Sequence, residues 1–140
     1  MNGESIVETM KALPKIELHR HLEGAVRLQT LVDIAREHGF EMPEYDIEQV
    51  RPFVQMMPEE QRTHKNFLAK FRTIRQYFRS PQIIKRIARE CVEDAAADNI
   101  KYMELRFTPC ALCQVCECTV NEAVGWVCEA VAEAAARTGI

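Results

Sequence analysis

Two segments of the chain alternate apolar and polar residues, and this period-two pattern predicts two β-strands. The first is residues 15–21 (KIELHRH), which follow Pro14. The second is residues 100–107 (IKYMELRF), which end at Thr108 and Pro109. The two predicted strands are separated by the 78 residues of 22–99, a length that leaves room for several helices.

Apolar residues three and four positions apart predict helices between and after the strands, and one short helix before them. Gly39 stands where a left-handed C-cap residue is expected, and Ser80-Pro81 combines a capping side chain with a proline suited to a first helical turn. Residues 41–62 contain three prolines and are expected to form a loop with one short helix around 46–50. The other helices are predicted over 6–13, 27–38, 65–78, 81–99 and 120–137, the last after a cysteine-rich loop at 110–118.

The order of these elements, in which helices separate the two strands, indicates an α/β fold. Strands that are joined through helices pair in parallel, and such crossovers are right-handed in nearly all proteins. We therefore predict that the two strands are parallel neighbours. Because a parallel sheet needs both faces covered, we expect them to belong to a larger sheet that these 140 residues do not complete. No linker or repeat divides the chain, so residues 1–140 are predicted to lie in one domain.

The composition excludes several classes of protein. The chain is 47% hydrophobic and 28% charged, which is not the composition of a disordered or low-complexity chain. Its net charge of -3 argues against a nucleic-acid or anionic-membrane partner. No apolar run approaches the roughly 18 residues that span a bilayer, and the first residues lack the basic start of a signal peptide. We therefore expect a cytoplasmic protein with reduced cysteines, and no feature of the sequence specifies its oligomeric state.

A pair of histidines on the first predicted strand is the strongest candidate for chemistry. His19 and His21 are two residues apart, so their side chains are expected to lie on the same face. Zinc binds imidazole nitrogen, and catalytic zinc sites commonly combine three protein ligands with a water. The pair is therefore a candidate half of a zinc site, and the alternative is two ordinary polar residues at a strand end. His38 and His64 are both predicted to lie on the surface.

Three segments of the chain resemble motifs of the adenosine deaminase family of metal-dependent amidohydrolases, in the order in which that family has them. The first is LPKIELHRHLEGA (13–25), and the second is NFLAKF (66–71), which is similar to the family's segment over the substrate pocket. The third, YMELRFTP (102–109), resembles the family's second barrel strand. The resemblance implies the N-terminal part of a (β/α)8 TIM-type barrel, with two parallel strands, several helices and an incomplete barrel.

The resemblance also implies a reaction. The complete enzyme would use one zinc ion at the C-terminal mouth of its barrel to hydrolyse adenosine, a purine nucleoside, to inosine and ammonia. Glu23 stands where the family has an aspartate that contacts substrate, so adenine or another aminopurine is an alternative substrate. The zinc ligands would include His19 and His21, and the substrate contacts would come from His21, Glu23, Gly24, Phe67, Leu68, Phe71 and Thr108. For the three apolar residues, an amphipathic helix face packed on the core is an equally open interpretation.

The family's other site residues come from later strands and have no counterpart in this sequence. They are a third histidine and an aspartate as further zinc ligands, a catalytic glutamate and a second histidine. We therefore expect no catalytic residue within these 140 residues, weak zinc binding, and no deamination of adenosine by the chain alone. The barrel-facing side of each strand would also lack partners, which favours aggregation.

The predicted loop before the last helix supports a second metal hypothesis, because four thiolates can bind tetrahedral zinc or an iron–sulfur cluster. The alternative is a cysteine-rich surface loop that binds no metal. A third hypothesis takes two of these cysteines with His21 and Glu23, which together match the H-x-E…P-C-x-x-C signature of zinc-dependent cytidine deaminases. The four cysteines are Cys110, Cys113, Cys116 and Cys118, of which the first two belong to that signature.

Overall fold

The computed structural model describes residues 3–40 and 45–140, so residues 41–44 of the predicted loop lie outside the described residues. Two parallel strands and seven helices make up the described part of the chain. In chain order they are α1 (Gly3–Ala12), β1 (Lys15–His21), α2 (Leu28–Glu37), α3 (Ile47–Val54), α4 (His64–Arg75), α5 (Pro81–Ala97), β2 (Ile100–Arg106), α6 (Pro109–Cys116) and α7 (Val120–Thr138).

The predicted parallel pairing of β1 and β2 is confirmed. Lys15 lies opposite Ile100 at one end of the pair, and His21 lies opposite Arg106 at the other. Between Glu17 and Arg20 the register shifts, because β1 has one more residue than β2 over this stretch. Such a β-bulge bends a strand and changes where its side chains point.

The sheet has one covered face and one open face. On the covered side, Met103 and Leu105 of β2 pack against the helices. On the open side, Ile16, Leu18 and Tyr102 are 69%, 58% and 53% exposed. The largest buried side chains belong to the helices and to the turns that join them, and they include Phe78, Leu22, Leu31, Ile34, Ile84, Ile87 and Leu112.

Charged and polar contacts join the segment after β1 to α5. The Arg27 guanidinium Nη2 lies 2.7 Å from Oδ1 of Asp94, and the Thr30 hydroxyl donates a 2.5 Å hydrogen bond to the Glu90 carboxylate. Both contacts connect α2 or its N-cap to one face of α5. They place the turn that follows His21 against the helix layer.

The predicted cysteine-rich loop is wrong, because residues 109–116 form α6. Pro109 occupies its first turn, where the missing N–H costs no hydrogen bond, and Leu112 is completely buried. The helix ends at Glu117, whose left-handed backbone (φ 54°, ψ 43°) turns the chain away from the helix axis. This conformation usually selects glycine, so the sequence carries no ordinary stop signal at this point.

Two further helix boundaries differ from the predictions. Helix α3 continues through Pro52 to Val54, because Asp46 caps its N-terminus and Val50 and Val54 are both buried. Helix α4 ends at Arg75 instead of at residue 78, and the following turn buries the side chain of Phe78. None of the described helices is long and apolar enough to cross a membrane.

Candidate metal and substrate site

The two histidines of β1 lie side by side on the open face of the sheet, as the alternation of the strand predicts. Their Nε2 atoms are 2.9 Å apart, and their ring centroids are 4.9 Å apart. The β-bulge spans Glu17 to Arg20 and includes His19, whose backbone N–H donates a 3.1 Å hydrogen bond to the Glu17 carboxylate. The strand ends just after them, where the Leu22 N–H donates to the Arg106 carbonyl.

This arrangement fits part of a zinc site. Two imidazole nitrogens that face each other at this distance can bind one ion with small adjustments of the rings, because each would lie about 2.0–2.1 Å from the metal. Across residues 3–40 and 45–140, no group of three or more histidine, cysteine, aspartate or glutamate side chains is placed to hold a metal ion. The pair is therefore a half-site, beside a cavity of about 280 Å³ that is lined by Glu17, His19, Arg20, His21, Gly24 and Ala25.

Glu23 is completely buried and does not line that cavity. Its Oε1 accepts hydrogen bonds from Nε and Nη2 of Arg75, each at 3.3 Å, and from the Thr108 backbone N–H at 3.1 Å. Arg75 Nη2 also donates to the Thr108 hydroxyl at 3.1 Å. These contacts tie the turn after β1 to the end of α4 and to the N-cap of α6. We call Glu23, Arg75 and Thr108 together the Glu23 clamp.

Arg75 is the member of this clamp that the sequence analysis missed. A basic residue in the last turn of a helix is common, since it interacts favourably with the helix dipole, so Arg75 carries no distinctive signal. It lies 52 residues from Glu23 in the chain, and no local pattern connects the two. A charge on the buried side of α4 is the one feature that could have suggested a buried acidic partner.

The apolar residues of α4 occupy different surroundings. The Phe71 ring packs edge-on against His21, with centroids 6.0 Å apart, and also contacts Phe67. Phe67 lines a second cavity of about 510 Å³ between α3 and α4, together with Met56, Met57, Pro58, Arg62, Thr63 and His64. Leu68 is about half exposed, at 48%. Phe71 is therefore the one of the three that the structure brings to the histidine pair.

Gly24 does not have the strained backbone that a sharp turn at a glycine would suggest. Positive φ among the described glycines occurs at Gly39 and Gly139. A Cβ atom at Gly24 would lie 3.4 Å from Cζ of Phe71, which is an ordinary van der Waals contact. Any need for glycine at this position would therefore come from a ligand in the adjoining cavity.

The cysteine hypotheses are not supported by the geometry. No set of three metal-binding side chains forms in the described residues, so neither a four-cysteine site nor the cytidine-deaminase arrangement of His21, Cys110 and Cys113 is assembled. Glu23, the proton shuttle of that arrangement, is held by Arg75 and Thr108 instead. His38 and His64 are exposed, as predicted.

Cys91 lies buried beneath the sheet, and its thiol makes the free energy of unfolding depend on pH in the alkaline range. Burial raises the pKa of its thiol to about 11, with Arg20 acting in the opposite direction. Above about pH 9 the unfolded chain loses this proton while the folded chain keeps it, so the free energy of unfolding falls as pH rises toward 11. Between pH 8 and 10, we expect the free energy of unfolding of the unmutated protein to fall by about 1 kcal/mol more than that of the Cys91→Ala variant. Urea denaturation at the two pH values measures both changes. Equal losses in the two proteins would contradict this prediction.

Comparisons with known proteins find similar proteins over most of the chain. The family model described as "Adenosine deaminase" matches residues 14–140. An adenosine deaminase of Clostridium botulinum is 40% identical to this chain over 99 residues, which are 71% of the chain and 29% of that protein. The chain thus spans less than one third of the length of this curated relative.

Two solved structures are similar to the whole fold. An amidohydrolase from Burkholderia ambifaria with bound Zn superposes on 100% of this chain and 37% of its own, with a TM-score of 0.82 and 30% identity. An adenine deaminase from Arthrobacter aurescens covers 91% of this chain and 37% of its own, with a TM-score of 0.76 and 25% identity. Both comparisons confirm the fold prediction, in which these helices and parallel strands are the N-terminal part of a (β/α)8 barrel.

Proposed function

The chain belongs to the adenosine deaminase family, and from this premise we propose that the protein containing it catalyses zinc-dependent hydrolytic deamination of adenosine to inosine and ammonia. The observation that carries the proposal is the pair of imidazoles on the open face of β1, with Nε2 atoms 2.9 Å apart. They lie at the carboxyl end of the strand, which is where barrels of this type have their active sites.

His19 and His21 would be two of the zinc ligands. Zinc, when bound, supplies Lewis acidity that activates water for attack on the purine carbon bearing the amino group. The chain's own residues orient the ligands: Glu17 holds the His19 backbone through the bulge, and the edge of Phe71 restrains the His21 ring. By the family resemblance, the remaining ligands and the proton-transfer groups would come from later strands of the barrel, so weak zinc binding by these 140 residues alone stays a prediction.

The substrate-facing surface would be formed by Gly24, Phe71 and the exposed side of His21, with Phe67, Leu68 and Thr108 at its margin. Phe71 offers an apolar ring beside the cavity, which suits the flat face of a purine. We further propose that Glu23 shapes this surface by holding the end of α4 in place through Arg75.

A second candidate substrate is adenine. Glu23 is completely buried and does not line the cavity beside the histidine pair, so its carboxylate is not placed to accept a hydrogen bond from a sugar hydroxyl there. The similarity of the fold to the adenine deaminase from Arthrobacter aurescens supports the same alternative. Adenosine and adenine differ in the ribose alone, so the ratio of their kcat/KM values distinguishes the two proposals.

The test measures ammonia release from adenosine and from adenine, using protein expressed from the full open reading frame, with zinc and after chelation. We expect turnover that requires zinc and that falls at least tenfold in His19→Ala and in His21→Ala, while His38→Ala serves as the matched control and retains it. Zinc titration of the 140-residue chain with its cysteines blocked should show binding. His19→Ala and His21→Ala should each weaken the zinc affinity at least tenfold, which corresponds to about 1.4 kcal/mol. Turnover that survives chelation, or unchanged zinc affinity in both variants, would contradict the proposal.

A further inference from the structure

The end of α6 brings two cysteine thiols together, at a place that the proposed function does not use. Sγ of Cys118 lies 3.7 Å from Sγ of Cys113, and both side chains are partly exposed. Neither residue lines the cavity beside the histidine pair. The contact therefore needs an explanation of its own.

The backbone at the end of α6 favours this contact. Glu117 adopts the left-handed conformation that ends α6, and its N–H donates a 3.0 Å hydrogen bond to the Cys113 carbonyl. In helix ends of this kind, the residue after the left-handed one folds back onto the side chain near the start of the last turn. Cys118 and Cys113 occupy these two positions. The helix end thus brings the two residues near each other, and their side chains place the two Sγ atoms 3.7 Å apart.

We propose that Cys113 and Cys118 form an oxidisable dithiol that closes to an intrachain disulfide by exchange with a small-molecule disulfide such as glutathione disulfide. One cysteine thiolate attacks the small disulfide, which forms a mixed disulfide and releases one thiolate. The second cysteine then attacks the protein sulfur of the mixed disulfide, forms the Cys113–Cys118 bond and releases the second thiolate. Two protein thiols are oxidised, and one small disulfide is reduced to two thiols.

The surroundings of the two cysteines determine how the rate of this exchange depends on pH. Burial raises the pKa values of Cys113, Cys116 and Cys118, so all three are mainly protonated at neutral pH. Because the thiolate is the attacking species, the exchange should be slow near pH 7 and faster as pH rises. Cys116 also interacts with Cys118, and Cys110 on the first turn of α6 and Cys128 on α7 are both exposed. These three cysteines are therefore the available competitors.

The test uses the position of Glu117 between the two cysteines. The folded protein is equilibrated in a glutathione redox buffer at pH 8, quenched with acid, alkylated and digested with a protease that cleaves after glutamate. Cleavage after Glu104, Glu117 and Glu122 leaves Cys113 in the peptide 105–117 and Cys118 in the peptide 118–122. The expected product is a disulfide-linked pair of these two peptides, and fragmentation of the pair should locate the bond at Cys113.

Matched variants decide between neighbouring thiols. Cys113→Ser should lower the yield of the linked pair at least tenfold, whereas Cys116→Ser, one turn further along α6, should leave it within twofold. If Cys113→Ser does not fold, the unmutated protein in urea provides the second measurement, because loss of the Glu117 turn should lower the linked fraction at least threefold. A linked pair that depends on Cys116, or an equal yield in urea, would overturn the proposal.

Discussion

Replacing Arg75 with methionine should lower the free energy of unfolding by about 3 kcal/mol, because it leaves the buried Glu23 carboxylate without a countercharge. Methionine keeps much of the stem of arginine and removes the guanidinium that donates two hydrogen bonds to Oε1. Within the described residues, Oε2 of Glu23 is already buried without a hydrogen-bond partner. The Thr108 N–H would then be the remaining donor to this carboxylate. Urea denaturation at pH 7 gives the measurement.

Two control variants make this prediction specific to the Glu23 clamp. Arg72→Met removes an arginine from the exposed side of the same helix, and the free energy of unfolding should change by no more than about 0.5 kcal/mol. Glu23→Gln removes the buried charge but keeps a carbonyl oxygen for the Thr108 N–H. The double variant Glu23→Gln with Arg75→Met should therefore be more stable than Arg75→Met alone. If the double variant were the less stable of the two, the interpretation of a charge left unpaired would be wrong.

Replacing Phe78 with alanine should cost about 3–5 kcal/mol, which is the largest effect that we expect from a single substitution in this chain. Phe78 is fully buried in the turn between α4 and α5, and it belongs to the main hydrophobic cluster. Its removal would leave a cavity at the point where the Arg75-bearing helix joins the next one. Thermal and urea unfolding should both report the loss.

Phe53→Ala is the matched control for this substitution, because it removes the same side chain from a site that is 59% exposed. There the change should stay within about 0.5 kcal/mol. Similar losses at the two positions would show that Phe78 does not have the close packing that its burial indicates. The two aromatic residues differ in burial and not in chemistry, so the comparison isolates the packing contribution.

Sequence patterns predicted the elements whose stabilising contacts are local or periodic. The two strands were predicted because Pro14 and Pro109 bound alternating segments, and their parallel pairing follows from the helices between them. Helix α6 was predicted as a loop because closely spaced cysteines are also typical of a metal-binding loop, whereas the helix depends on Pro109 at its start and on buried Leu112. Its end at Glu117 was not predictable, since a non-glycine residue adopts the left-handed conformation there.

The candidate site shows the same division between local and distant information. Same-face placement of His19 and His21 follows from the strand period, and the structure shows it although His19 lies within the β-bulge. The resemblance identified Glu23 as a site residue, but no pattern indicated that Arg75, 52 residues away, would hold it out of the cavity. Contacts of this kind depend on how α4 packs across the turn after β1, which single-residue patterns do not encode. The metal and substrate roles of these residues remain predictions.

The short separation of the two histidines also determines how metal binding and folding are coupled. A ligand stabilises a protein only to the extent that it binds the folded chain more tightly than the unfolded one. Imidazoles two positions apart remain close neighbours in an unfolded chain, so His19 and His21 keep part of their affinity for zinc without the barrel. By contrast, β1 and β2 are brought together across 78 intervening residues and are distant from each other in an unfolded chain. Zinc held by this pair would accordingly accompany the polypeptide from an early stage of folding and contribute little to the final thermodynamic stability.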